Sequence, residues 1–217
     1  MAWVSTGFRL ARDVIHVHGQ RGGEGAYRPR GGPAQEYQSL PAGSFLLAFA
    51  TGESLVKEAA EHHGIRNARR QPMGLGSAGL VDGFEEHGIP LRARARVVPQ
   101  PGSRSGVHRW RLLEGASLDA YLRDAYAIRN ALAHTGSTVD ASLRSSFFLR
   151  EGAVRLRSMT LMLAEGLLQA AQDVAFLAAR SAGTTSSIAW EWVEPVRSGA
   201  SRMPVGLRTH PDFPLPS

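Results

Sequence analysis

The chain contains no cysteine. Disulfides, thiolate zinc sites and cysteine nucleophiles are therefore excluded. No stretch in the sequence approaches the roughly 20 consecutive apolar residues that span a bilayer, so no membrane partner is expected. Acidic and polar residues stand near the amino terminus, MAWVSTGFRLARDVIHVHG, where a signal peptide would carry an apolar run. A cytoplasmic protein is the expectation. Internal repeats are missing too, and no set of Asp, Glu and His has the spacing of a metal cage, so neither metal nor cofactor is expected.

Lysine is almost absent as well. Of 25 basic residues only Lys57 is a lysine, and the formal net charge is +6. A GC-rich genome encodes such an arginine excess, but the physical consequence is independent of its origin. Guanidinium groups donate paired hydrogen bonds to phosphate oxygens, which makes nucleic acid a permitted partner. With 217 residues, 43% hydrophobic and 20% charged, the chain has the composition of one domain with a packed core.

Residues 5–18 carry Phe8, Leu10, Val14 and Ile15 and predict a short helix or strand. Residues 19–43, rich in Gly, Arg and Pro, read as a solvated linker whose Arg-Gly-Gly triplets offer loose RNA contact. Residues 1–43 are thus expected to form an extension, residues 44–183 a helical domain and residues 184–217 a mobile tail. Within the domain, Leu46, Leu47, Phe49, Ala50, Leu55, Val56 and Ala59 have helical spacing, stopped at Gly64. A shorter helix is expected over residues 77–87. Residues 91–116 show no sustained period and read as a long connection.

The clearest helix covers residues 117–136. Ser117 is a natural N-cap, Asp119 suits the first turn, and Gly136 is placed to end the helix in a left-handed conformation. Leu118, Tyr121, Leu122, Ala125, Ile128 and Leu132 form one buried stripe. Residues 145–157 predict two alternating strands joined at Glu151-Gly152. A long helix over residues 158–183 then shows an apolar surface wider than one stripe, as in a bundle centre or a contact with a second subunit. The clear helix and this one are expected to pack antiparallel through Leu122, Ile128, Leu132, Leu163 and Leu167. The fold class is mainly α, a helical bundle with a short β-hairpin before the last long helix.

Arg129-Asn130-Ala131-Leu132-Ala133-His134 combines residue type, spacing and context. An arginine and a histidine separated by four to six intervening residues are not specific. Such a pair occurs three times, at Arg9–His16, Arg12–His18 and Arg129–His134, about as often as chance allows. Only the third has Asn after Arg, a strongly amphipathic helix around it and a glycine stop behind it. This segment resembles the signature of the HEPN superfamily, and the order of helices around it, over roughly residues 44–182, is similar. The resemblance implies a metal-independent endoribonuclease that leaves a 2′,3′-cyclic phosphate and a 5′-hydroxyl. It also implies a bacterial toxin or antiviral defence effector, with an antitoxin or a larger defence assembly as partner, and a homodimer.

The same residues have a physical rationale. Asn130 and His134 are one turn apart on one helix face, and Tyr126 extends that row. Arg129 lies about 100° round from Asn130, between this row and the buried stripe. Histidine can take a proton from a ribose 2′-hydroxyl or give one to the leaving 5′-oxygen. Arg129 would stabilise charge on phosphorus, Asn130 would position phosphate or imidazole, and Tyr126 and Arg123 are candidate substrate contacts. One motif supplies one histidine, whereas transesterification benefits from an acid and a base. Two copies across a two-fold axis would provide both. The alternatives are an inactive HEPN-like module that binds RNA or protein, and a helical subunit of a larger assembly. In a purely structural role Arg129 would pair with Asp124 or another carboxylate, and His134 would cap free carbonyls.

Other motifs carry less. Gly74-Leu75-Gly76-Ser77-Ala78-Gly79 fits a dinucleotide pattern but lacks a βαβ setting. His16 with His18, and His62 with His63, lack companion ligands for a metal. Arg92, Arg94 and Arg96 alternate as a phosphate track would, although an exposed loop is the simpler expectation. Trp190 and Trp192 suit packing better than base stacking.

Overall fold

The computed structural model describes residues 2–23, 39–74, 79–98, 110–149, 153–156, 159–185, 190 and 203–214, with side chains of the first helix from Trp3 to Ile15. The elements follow in order: α1 (Ala2–Gly23), α2 (Ser39–His62), α3 (Leu80–Glu86), β1 (Arg92–Arg96), β2 (Trp110–Glu114), α4 (Gly115–Thr135), α5 (Leu161–Ser181) and the short α6 (Val205–Arg208). The fold is mainly helical, with one two-stranded antiparallel ribbon ahead of the last long helix.

The ribbon is not where the alternation placed it. Strand β1 pairs with β2 from Arg92 opposite Glu114 to Arg96 opposite Trp110, within the segment read as an aperiodic connection. The described residues of 145–157 form no strand. Their chain is held instead by Asp124 of α4, which accepts from the amides of Arg144 (2.9 Å) and Ser145 (2.8 Å) and from the Ser145 hydroxyl (2.6 Å). Phe147 and Phe148 both meet the Tyr121 ring, at 5.9 and 4.7 Å between centroids. Neighbours in a strand point to opposite faces, so two consecutive rings on one target exclude a strand there. Residues 150–152, with the expected Glu151-Gly152 turn, lie outside the described residues.

Helix α5 is the centre. By length and composition it could cross a bilayer, yet 89% of its most apolar stretch is buried within the fold. It packs against α2, α1 and β1. Its wide apolar surface is thus covered by its own chain and is not left for a second subunit. Helices α4 and α5 do not lie along one another as the sequence suggested. Helix α2 contacts both, and Leu122, Ile128, Leu163 and Leu167 share one core without direct helix pairing. At Gly52 an added Cβ would stand 3.0 Å from the Ala171 Cβ, so glycine permits the close α2–α5 approach.

Arg94 and Arg96 line neither an exposed loop nor a phosphate track. Both are buried against α5. The Arg94 guanidinium donates to both carboxylate oxygens of Asp173, at 2.8 and 2.7 Å, and its backbone N–H adds a third bond of 2.7 Å. Arg96 pairs with Glu165. Burial pushes the Asp173 carboxyl up, while the bonds from Arg94 and Gln169 pull it back toward the ionised form. Gly166 lets β1 approach: a Cβ there would stand 2.8 Å from the amide nitrogen and the Cβ of Arg96.

The core continues past residues 44–183 at both ends. Val4, Phe8, Ala11 and Ile15 of α1 are buried in it. Trp190 packs on Phe8 and Phe176, at 6.3 and 5.2 Å between centroids; Trp192 lies outside the described residues. Residues 203–214 dock on the ribbon. Arg94 donates to the carbonyls of Leu207 and Arg208 and sits 4.4 Å from the Phe213 centroid, and Arg92 binds Asp212 at 2.7 Å.

Removing one partner of a buried ion pair leaves a charge uncompensated. Asp173→Ala should cost about 3–5 kcal/mol. The double change Arg94→Met with Asp173→Leu should recover much of that loss, because it leaves neither charge behind. Urea unfolding of the two variants checks this: equal destabilisation would mean that the ion pair itself, rather than the stranded charge, sets the cost.

Candidate functional site

Helix α4 begins one turn earlier than Ser117 suggested. Glu114 is the N-cap, with Ser117 at the third helical position: the Ser117 hydroxyl accepts from the Glu114 amide at 3.0 Å while the Glu114 side chain accepts from the Ser117 amide. The helix ends as expected. Gly136 takes a left-handed conformation (φ 69°), its amide donates to the Leu132 carbonyl at 3.1 Å, and the Thr135 hydroxyl donates to the Ala131 carbonyl at 2.9 Å. Glycine meets the positive φ without the steric cost other residues bear.

The stripe Leu118, Tyr121, Leu122, Ala125 and Ile128 is buried and Leu132, its expected last member, only half-buried, so the remaining face of the last two turns is turned outward. Arg129 is about one-third exposed, Asn130 and Tyr126 are half-buried, and His134 is exposed. Arg129 donates through Nη1 to Asn130 Oδ1 at 2.8 Å. This bond fixes which end of the Asn130 amide is occupied, leaving the Nδ2 donors for another acceptor.

The Arg129 guanidinium lies 5.9 Å from the Tyr126 centroid, and that ring is set by Phe49 of α2, 6.3 Å away. Arg129 Nη2 stands 4.0 Å from Glu53 Oε2 of α2. Glu53 in turn binds Lys57 at 3.0 Å. Asp124 is not the partner of Arg129; its carboxylate is buried and engaged with residues 144–145.

His134 has no structural task here. Among the described residues it meets no hydrogen-bond, ion-pair or ring partner and caps no carbonyl, while Thr135 and Gly136 engage the carbonyls of Ala131 and Leu132. Other histidines differ. His63 Nε2 shares a 2.8 Å bond with the Ser181 hydroxyl, and His87 Nδ1 binds the Gly83 carbonyl at 2.8 Å. Burial, together with His62 and His87, holds the His63 imidazole below its ordinary range.

Arg123 is not gathered into this group. Eleven residues separate it from His134, about 16 Å along the helix axis at 1.5 Å per residue. Its Nε is buried with no hydrogen-bond partner among the described residues, and the chain at Gly74 presses on its backbone: a Cβ at Gly74 would stand 2.6 Å from the Arg123 amide nitrogen. Residues 75–78 of the glycine pattern, and the side chains of His16 and His18, lie outside the described residues. Sequence reasoning overlooked Glu53 and Lys57. Their i, i+4 spacing was visible, but such pairs are common on helix surfaces and nothing in the sequence joined them to Arg129.

No protein-family model, curated protein or solved structure matches this chain.

His134→Ala should change stability by no more than about 0.5 kcal/mol, as for surface positions without partners. Asp124→Ala should cost more, about 1.5–3 kcal/mol, because it removes the buried acceptor of three hydrogen bonds from residues 144 and 145. Melting temperatures of the two variants check the order; a large loss in His134→Ala would make that residue a structural element.

Proposed function

We propose that the chain is a metal-independent endoribonuclease of HEPN type, with Arg129, Asn130 and His134 as its catalytic group. The observation that carries this reading is an exposed histidine without a partner among the described residues, one turn from an asparagine oriented by an adjacent arginine. The imidazole of His134 takes the proton of a ribose 2′-hydroxyl. The 2′-oxygen attacks phosphorus, the bond from phosphorus to the 5′-oxygen breaks, and a proton returns to that oxygen from an imidazolium. Arg129 donates to the non-bridging oxygens as negative charge grows, and the free Asn130 amide N–H groups add a second donor pair. Tyr126 forms the aromatic wall beside the guanidinium.

The proposed working form is a two-fold dimer in which two copies of His134 share one cleft, one as base and one as acid. Burial of α5 within the subunit requires that dimer to use other surfaces, and the exposed end of α4 is the surface this mechanism needs. A toxin or antiviral role in the cytoplasm, with RNA as substrate, fits a compact helical chain of this charge.

Purified protein should cleave labelled RNA in EDTA and leave 2′,3′-cyclic phosphate ends. His134→Ala should lose about 100-fold or more of the rate, with Arg129→Ala comparably impaired. Sedimentation should find a dimer at micromolar concentration. Binding of RNA without cleavage by the unaltered protein would instead favour a silent RNA-binding module.

A further inference from the structure

The chain's single lysine lies next to the candidate site. Lys57 Nζ is 3.0 Å from Glu53 Oε1, and the other oxygen of that carboxylate is 4.0 Å from Arg129 Nη2. One carboxylate therefore stands between two cations, one from each helix. The Glu53 side chain is 11% exposed, against 23% for Lys57 and 36% for Arg129. The anion forms the floor and the two cations reach further toward water.

The register of the helices gives Lys57 a direction. Phe49 meets Tyr126 and Glu53 meets Arg129, so α2 and α4 advance in the same sense along this contact. Lys57 is one further turn along α2. By that register its position on α2 falls on the His134 side of Arg129, while its ammonium reaches back to Glu53. The backbone beside Glu53 packs closely on α5, where a Cβ added at Gly52 would stand 3.0 Å from the Ala171 Cβ.

We propose that Lys57 and Glu53 complete the site on α4: Lys57 is a second phosphate contact, and Glu53 is a positioning residue that holds the Lys57 and Arg129 heads apart at a fixed spacing. The ligand is the backbone of single-stranded RNA, with Arg129 at the reacting phosphate and Lys57 at a neighbouring one. An ammonium suits the second place because it is a compact point charge with freely turning donors, whereas a guanidinium demands planar pairing. The assignment rests on the ribonuclease reading for the role of Arg129, but phosphate binding by Lys57 has its own readout.

Two measurements separate the claims. The first is binding of a fluorescent 2′-deoxy oligonucleotide, which lacks the attacking hydroxyl, across a salt series. Lys57→Ala should weaken binding and reduce the slope of log affinity against log salt by about 0.7, the value for one single-strand phosphate contact. Lys57→Arg should restore the slope. The second is RNA cleavage. Lys57→Ala should raise KM several-fold and spare kcat, whereas Glu53→Gln should lower kcat, with Glu53→Asp recovering part of it. Unchanged slope and KM in a folded Lys57→Ala protein overturn the proposal and leave the ribonuclease reading standing. Binding with the expected slope change but no cleavage by the parent protein supports the phosphate contact and removes the ribonuclease reading. A parent protein that neither binds nor cuts overturns both.

Discussion

Two buried ion pairs between one strand and one helix organise this fold. Helix α5 is apolar on nearly every side, and hydrophobic burial is non-directional. Left to apolar contact alone, such a helix could be covered in several rotations. Glu165 and Asp173 remove that freedom, because each buried carboxylate must meet a cation. Arg96 and Arg94, two apart on β1, supply them, and Gly166 leaves room for the strand backbone where a Cβ would crowd Arg96. The ribbon is consequently locked along α5, and the carboxyl-terminal segment closes over Arg94 through Phe213 and two carbonyls. Buried pairs are weak contributors to net stability, but they penalise every arrangement that separates them. We expect their main effect here to be choice of packing.

That choice fixes the candidate site indirectly. With β1 on one side of α5, α2 and α1 take other sides, and α2 reaches α4. The face of α2 that bears Phe49 and Glu53 then becomes the wall against which Tyr126 and Arg129 rest. The arginine is held by a helix that is itself wedged at Gly52. The histidine, one and a half turns further along α4, stands beyond that wall.

Local patterns in the sequence disclosed the elements whose causes are local. The buried stripe of α4 and the left-handed end at Gly136 follow from spacing and from one glycine, and both are present. The same holds for the exposure of His134, which its helical phase dictates. What could not be read were features with distant causes. Arg94 and Arg96 look solvated until Asp173 and Glu165 are known to face them, some 70 to 80 residues later. The alternation in residues 145–157 imitates a strand, but Asp124 captures the backbone at residues 144–145 and turns both phenylalanines onto Tyr121. Glu114 became the N-cap because β2 runs directly into α4 through Gly115, a junction that no helix propensity announces. Glu53 was invisible as a site residue for the same reason: its significance is a contact between two helices.

The contrast between Arg129 and His134 bears most on chemistry. An anion-binding arginine gains from being held in place, since donors fixed before the reaction need no reorganisation when charge appears. Arg129 meets that condition through Asn130, Tyr126 and Glu53. A proton-transferring imidazole has a different requirement: its ring nitrogens must be open to substrate, and a bond to a helix carbonyl or a carboxylate would occupy one of them. Thr135 and Gly136 engage the Ala131 and Leu132 carbonyls, and among the described residues the ring nitrogens of His134 meet no partner. A purely structural pair would share the braced arginine, here beside Glu53, and would differ only at the histidine, which the cap would engage. A braced cation and an imidazole without a partner among the described residues, on one helix end, are what the proposed transesterification would use.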